Sequence, residues 1–221
     1  MTDNAATPKP AATILLLRPG TENLEVFMVV RHHQIDFASG ALVFPGGKAD
    51  PQDFDDALIP YLRGAEADSD MRAAQVSAIR EAFEECGILL AREAGSNDII
   101  SGDRLAELQS AREPMNKGDI PLLDFLQNEK LELACDALTH FAHWITPPMM
   151  PKRFDTHFYL AIPPADHSAV HDGYESVDSV WIDPAAAITG AESGKYTIIF
   201  PTLSNNEKLA TWSTPEAAIE A

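Results

Sequence analysis

Hydrophobic positions along the chain fall into runs of two different periods. Ala12–Leu17 and Glu25–Arg31 are apolar runs rich in β-formers, separated by Pro19-Gly20-Thr21-Glu22-Asn23, and they predict a hairpin of two core strands. Gly40 to Gly47 predicts a loop or short strand ending in a turn, because Pro and paired Gly punctuate structure. Lys48 to Asp70 is polar, acidic and weakly periodic, with a small apolar patch at Leu58, Ile59, Tyr61 and Leu62; it reads as an inserted loop with a single helical turn. From Met71 to Ala91 the period changes. Val76, Ile79, Phe83, Cys86 and Leu90 recur at three- and four-residue spacing and form one stripe of a helix, which Gly87 helps to end. Asp103–Arg112 and Asp119–Gln127 predict two short helices, a second insertion that caps the domain. Strand pattern returns at Phe141–Ile145 and is stopped by Pro147-Pro148. Arg153–Ile162 alternates, with Phe154, Thr156, Phe158, Leu160 and Ile162 on one face and Asp155, His157, Tyr159 and Ala161 on the other. Val177–Ile182 predicts a further strand, and Pro184 opens a short helix.

These elements fit one domain over residues 12–200, with insertions at about 50–72 and 96–135, a flexible leader at 1–11 and a C-terminal tail or helix at 201–221. No apolar run approaches the roughly 20 residues that span a bilayer, so no membrane partner is expected. The N-terminus does not read as a signal peptide. Two cysteines, Cys86 and Cys135, offer no disulfide framework, which fits a reduced, cytoplasmic setting. A net charge of −18 argues against nucleic-acid binding. It also repels small anions, so a phosphorylated substrate would need bound metal and a few placed cations, for which Arg31, Lys48, Lys152 and Arg153 are candidates.

Glu81, Glu84 and Glu85 stand at i, i+3 and i+4 of the predicted helix, within an arc of roughly 100°. Like charges packed so closely destabilise a helix unless a cation compensates them. Mg²⁺ suits such oxygen ligands and commonly bridges to phosphate. The three acids lie nearly opposite the apolar stripe, however, which is also how an ordinary solvated face looks. Their position alone leaves both readings open.

The flanking string adds information. Arg80-Glu81, Glu84-Glu85, Gly87 and Ile88 match the second half of the box that identifies Nudix hydrolases, G-x5-E-x7-R-E-x-x-E-E-x-G followed by an apolar residue. Gly47 supplies the opening glycine, and Phe44-Pro45-Gly46 before it is usual in that family. The chain thus resembles the Nudix hydrolases, which implies an α/β (α+β) fold with a mixed β-sheet sandwiched between helices. One departure is the long stretch from Gly47 to Arg80. Asp53 falls where the box has its first acid, with Asp50 as an alternative, and the sequence does not say which of them partners Arg80. A long insertion here, with Trp144, Thr146, Pro147 and then Arg153-Phe154-Asp155-Thr156, is similar to the branch that includes the peroxisomal mammalian coenzyme A diphosphatase and its bacterial relatives.

The resemblance implies a Mg²⁺- or Mn²⁺-dependent enzyme splitting a diphosphate linkage in a small nucleoside diphosphate derivative. Coenzyme A or acyl-coenzyme A is the favoured substrate, and ADP-ribose, a nucleotide sugar or a dinucleotide is the alternative. A non-catalytic nucleotide sensor of the same fold is the reading from another class. Glu81, Glu84 and Glu85 would bind metal, joined by the Gly46 carbonyl, while Arg80 orients carboxylates. Glu175, ahead of Asp172 in the same acidic loop, is the candidate general base. Arg31, Gly47, Lys48 and Arg153 are the candidate substrate contacts, with an Arg153–Asp155 ion pair as the structural alternative. A homodimer is expected by analogy alone. The histidines, including His32-His33 and His140-x-x-His143, have no HExxH pattern or adjacent cysteine and read as surface or core residues, and Cys86 reads as core packing.

Overall fold

The computed structural model describes residues 6–31, 40–169 and 176–221. In order, these form β1 (Lys9–Pro19), β2 (Leu24–Arg31), β3 (Leu42–Val43), β4 (Gly46–Lys48), two 3₁₀ segments (Pro51–Phe54 and Asp56–Tyr61) and β5 (Leu62–Arg63). There follow α1 (Ser69–Cys86), β6 (Ala91–Glu93), α2 (Gly102–Leu108), α3 (Arg112–Asn116), α4 (Leu122–Glu129) and β7 (Leu131–Ala134). The last part comprises β8 (Thr139–Ile145), β9 (Phe154–Ala161), β10 (Ser176–Ile182), α5 (Pro184–Glu192), α6 (Phe200–Leu209) and α7 (Pro215–Ile219).

The main sheet runs β10-β2-β1-β9-β8, with β3 added to β2 and β4 to β1. Its centre is the parallel pair β1 and β9, in register from Lys9 opposite Phe154 to Leu16 opposite Ala161. The other pairs are antiparallel, including the expected β1–β2 hairpin. Period-2 alternation then sorts the side chains into two cores. Ile14 and Leu16, with Tyr159 and Ala161, join Val76, Ile79, Phe83 and Cys86 of α1. Leu15, Leu17, Phe158 and Leu160 meet Leu209 of α6 and Ala218 of α7 on the opposite face. The mixed sheet is therefore sandwiched between helices. Full burial of a side chain such as Ile79 or Phe83 stabilises the fold by about 1.5–3 kcal/mol.

Several boundaries differ from the expectation. β1 begins at Lys9, inside the supposed leader, because its first residues pair with both β9 and β4. α1 ends at Cys86, with Gly87 as the stop its position suggested, but the apolar stripe does not extend along the helix to Leu90. Gly87 takes the left-handed conformation (φ 71°) and its N–H bonds back to Phe83 at 2.9 Å, so Leu90 lies beyond the helix. The inserted segments are more ordered than their polarity suggested. Together with β6, which lies between them in the chain, they build a second sheet, β5-β7-β6, over buried Leu58, and Phe125 of α4 stacks on Phe83 at 5.6 Å. The C-terminal segment is folded too, as α6 and α7.

Candidate active site

Helix α1 carries the site, and its ends are well fixed. The Asp68 side chain accepts from the N–H groups of Asp70 and Met71, both at 3.0 Å. At the other end, Arg112 of the second insertion donates to the carbonyls of Phe83 (3.0 Å) and Glu84 (3.2 Å), and Gln109 donates to that of Gly87 (3.0 Å). The Phe83 carbonyl also accepts the Gly87 N–H, and the bond to Glu84 serves a carbonyl of the last turn, where a helix leaves acceptors without intrahelical partners. The insertion therefore anchors the end of the helix that bears the acids.

The face opposite the apolar stripe is not solvated. β4 and the first 3₁₀ segment lie across it, and Arg80, Glu84 and Glu85 are only 5–6% exposed. Arg80 is the hub. Its Nε and Nη2 donate to the two carboxylate oxygens of buried Asp53 (2.9 and 3.0 Å), and its Nη1 to Glu84 (2.8 Å). Nη2 also lies 3.1 Å from Glu81. Glu85 instead accepts the Gly46 N–H at 2.9 Å, tying β4 to the helix. Asp50 is one step removed, capping the 3₁₀ segment by accepting from Gln52 and donating its own N–H to Asp53. Asp53, not Asp50, is thus the partner of Arg80.

Three carboxylates, those of Asp53, Glu81 and Glu84, face a single guanidinium. Burial alone would lower the pKa of Arg80, but the bonds to Asp53 and the charges of Glu81, Asp53 and Glu84 raise it instead. The acids feel the deficit of positive charge. Burial pushes Glu81 up to about 7 against the pull of Arg80, and Glu84 rises for the same reason. An all-oxygen donor set with surplus negative charge fits a hard divalent cation. Gly47 is part of the same cradle: a Cβ there would meet Glu81 Oε1 at 2.5 Å.

Glu81 and Glu84 form one wall of a cavity of about 1030 Å³, lined also by Gly46, Gly47, Lys48, Met115, Lys117 and Arg153. Lys9, Lys48, Arg80, Lys117, Lys152 and Arg153, six of the chain's 16 lysines and arginines, line this cavity, although the whole chain carries −18. Such a concentration favours an anionic ligand. The cavity brings Lys48, Lys152 and Arg153 together with Glu81 and Glu84. Arg153 does not pair with Asp155; it donates to the carbonyls of Thr146 (2.9 Å) and Ala6 (2.7 Å). The side chain of Arg31, and Glu175, Asp172, His32 and His33 entirely, lie outside the described residues. Sequence reasoning missed Lys9, assigned to a leader, and Lys117, which α3 carries to the cavity from the second insertion. Lys117 falls between the two helices predicted for that insertion, where the sequence offers no local signal.

A mixed sheet sandwiched between helices, with an REAFEEC helix facing an FPGG strand, defines a Nudix hydrolase. The chain belongs to the NUDT19 Nudix domain family, whose model matches residues 63–209. A Nudix hydrolase from Alicyclobacillus acidocaldarius has the same fold at a TM-score of 0.78 and 27% identity, covering 98% of this chain and 97% of that one. The chain is 27% identical over 204 residues to putative nudix hydrolase 7 of Caenorhabditis elegans, covering 91% of this chain and 60% of that protein. It is 25% identical over 219 residues to acyl-coenzyme A diphosphatase NUDT19 of Xenopus laevis, covering 80% of this chain and 57% of that protein. The chain therefore spans little more than half the length of these curated relatives. Nudix hydrolases as a family generally use divalent metal ions. No helix among the described residues is long and apolar enough to cross a membrane.

Proposed function

We propose that this chain is a Mg²⁺- or Mn²⁺-dependent pyrophosphohydrolase that cleaves coenzyme A or acyl-coenzyme A to 3′,5′-ADP and (acyl-)phosphopantetheine in the cytoplasm. The observation that carries the reading is the buried acid cluster of α1 opening into a large, cation-lined cavity. Glu81, Glu84 and Glu85 would hold the metal, with the Gly46 carbonyl as a further ligand. When bound, the ion neutralises phosphoryl charge and lowers the pKa of a bound water. Arg80 positions Glu84 and, through Asp53, fixes the loop that follows β4. Lys48 and Arg153, with Arg31, contact the phosphates, and Gly47 leaves the space in which Glu81 sits. Glu175 is proposed as the general base.

Two features favour coenzyme A over smaller diphosphates. Its 3′-phosphate adds an anion that the cationic lining suits, and 1030 Å³ lies at the upper end of ordinary ligand cavities, which run to about 1,000 Å³. The similarity to the acyl-coenzyme A diphosphatase points the same way. The test is a chromatographic product screen of coenzyme A, acetyl-coenzyme A, ADP-ribose, NADH and UDP-glucose with Mg²⁺ or Mn²⁺. Release of 3′,5′-ADP at the highest kcat/KM is the expected result. Faster cleavage of ADP-ribose, a nucleotide sugar or a dinucleotide would overturn the substrate, and tight binding without product would make the chain a nucleotide sensor.

A further inference from the structure

A second cluster of chemistry-bearing side chains lies away from the acidic helix, on the edge pair β8–β9. β8 ends the main sheet, and its pairing with β9 contains a bulge between His140 and Ala142. Residues three apart on a regular strand point to opposite faces. The bulge absorbs one residue, so that His140 stands opposite Tyr159 and His143 opposite His157, both on the face that also carries Asp155. Bulges of this kind re-aim side chains. Here the result is three histidines and an aspartate side by side.

The contacts are close. The His143 and His157 rings stack with centroids 4.1 Å apart at 7°. His143 Nε2 touches Asp155 Oδ1, and His140 Nε2 lies 3.0 Å from His157 Nδ1. One donor atom from each of His143, Asp155 and His157 falls within 4.8 Å of the other two. His143 and Asp155 keep about 40% of their side-chain surface in solvent, so an ion can reach them.

We propose that His143, Asp155 and His157 form a second metal site, which takes a borderline transition-metal ion, Zn²⁺ foremost. Two imidazoles and one carboxylate suit Zn²⁺ far better than the all-oxygen set on α1, which suits Mg²⁺. In the tautomer whose His157 Nδ1–H donates to His140 Nε2, the His157 Nε2 lone pair is left for an ion, and His140 acts as the partner that fixes the ring. The site sits at the stem of the β8–β9 hairpin, whose connecting segment brings Pro151, Lys152 and Arg153 to the cavity. A bound ion would brace that wall.

The experiment is a Zn²⁺ titration of the metal-stripped full chain by calorimetry in excess Mg²⁺, with Co²⁺ absorption as a spectroscopic stand-in. One equivalent of Zn²⁺ should still bind to the Glu84→Gln/Glu85→Gln double variant, and its affinity should fall at least tenfold in His143→Gln and His157→Gln. Unchanged affinity in both histidine variants, or loss of all Zn²⁺ binding in the glutamate double variant, would overturn the proposal. Should a histidine variant fail to fold by circular dichroism, the wild-type Co²⁺ spectrum decides. Intense bands of a low-coordinate imidazole site support the proposal, and a weak six-coordinate oxygen-type spectrum refutes it. None of these outcomes depends on which diphosphate the enzyme cleaves.

Discussion

Replacing Asp53 with Ala should destabilise the protein far more than replacing Asp50, although the two acids lie three positions apart. Asp53 is 2% exposed and holds Arg80 through two bonds of 2.9 and 3.0 Å. Removing one partner of a buried ion pair costs about 3–5 kcal/mol, because the other charge is left without compensation. Glu81 and Glu84 still reach the guanidinium in the variant, so the low end applies, about 3 kcal/mol. Asp50→Ala removes only an exposed cap on a short 3₁₀ segment, worth about 1 kcal/mol. The assay is urea unfolding followed by circular dichroism in EDTA, comparing midpoints at unchanged m-value. Asp53→Ala/Arg80→Ala should cost less than the sum of the single variants by about 1 kcal/mol or more, the coupling expected of groups in direct contact. Equal losses for Asp50→Ala and Asp53→Ala, or additive behaviour in the cycle, would refute the assignment of Asp53 as the Arg80 partner.

The paired glycines should fail in different ways. Gly46 has φ 153° and a Cβ there would meet the Ala12 carbonyl oxygen at 2.4 Å, so Gly46→Ala should lose about 3 kcal/mol or more in denaturant unfolding. Gly47→Ala pushes instead on the Glu81 carboxylate, and should lower turnover at least tenfold on the order expected for a displaced ligand while costing only about 1 kcal/mol of stability. Arg112→Ala uncaps the end of α1 and should cost about 1–2 kcal/mol, read from the thermal midpoint. Glu81 gives a pH signature. Burial raises its folded pKa to about 7 from the ordinary glutamate value of 4.5, so the metal-free native state binds the extra proton between these values. Metal-free stability should therefore decline as pH rises from about 4.5 through about 7, while stabilisation by Mg²⁺ should grow over the same window, since a ligand must lose its proton. Thermal melts in EDTA and in Mg²⁺ across this range check both slopes.

The strands and the helix were legible because burial on one face imposes a period, and β9 alternates as its sequence predicts. The roles of flanking residues were less so. Spacing could not choose between Asp50 and Asp53, since the choice depends on which one the 3₁₀ turn buries. The polar face of α1 looked solvated because the elements that cover it are short and come from a segment without periodicity. Cys86 does pack in the core, as its place on the stripe implied. The β8 histidines were unreadable as a cluster, because H-x-x-H on a regular strand points its rings apart, and only the bulge turns them to the same face.

The central claim is that the carboxylates of α1 hold the metal on which diphosphate cleavage depends. The most direct measurement is Mg²⁺-supported turnover of coenzyme A, or of whichever diphosphate the product screen favours, by Glu84→Gln and Glu85→Gln beside the unaltered protein. Even outer-shell partners of metal ligands cost about 10–100-fold, so each substitution should lower kcat on the order of 100-fold or more in a protein that keeps its fold by circular dichroism. Unchanged turnover in both variants would contradict the account.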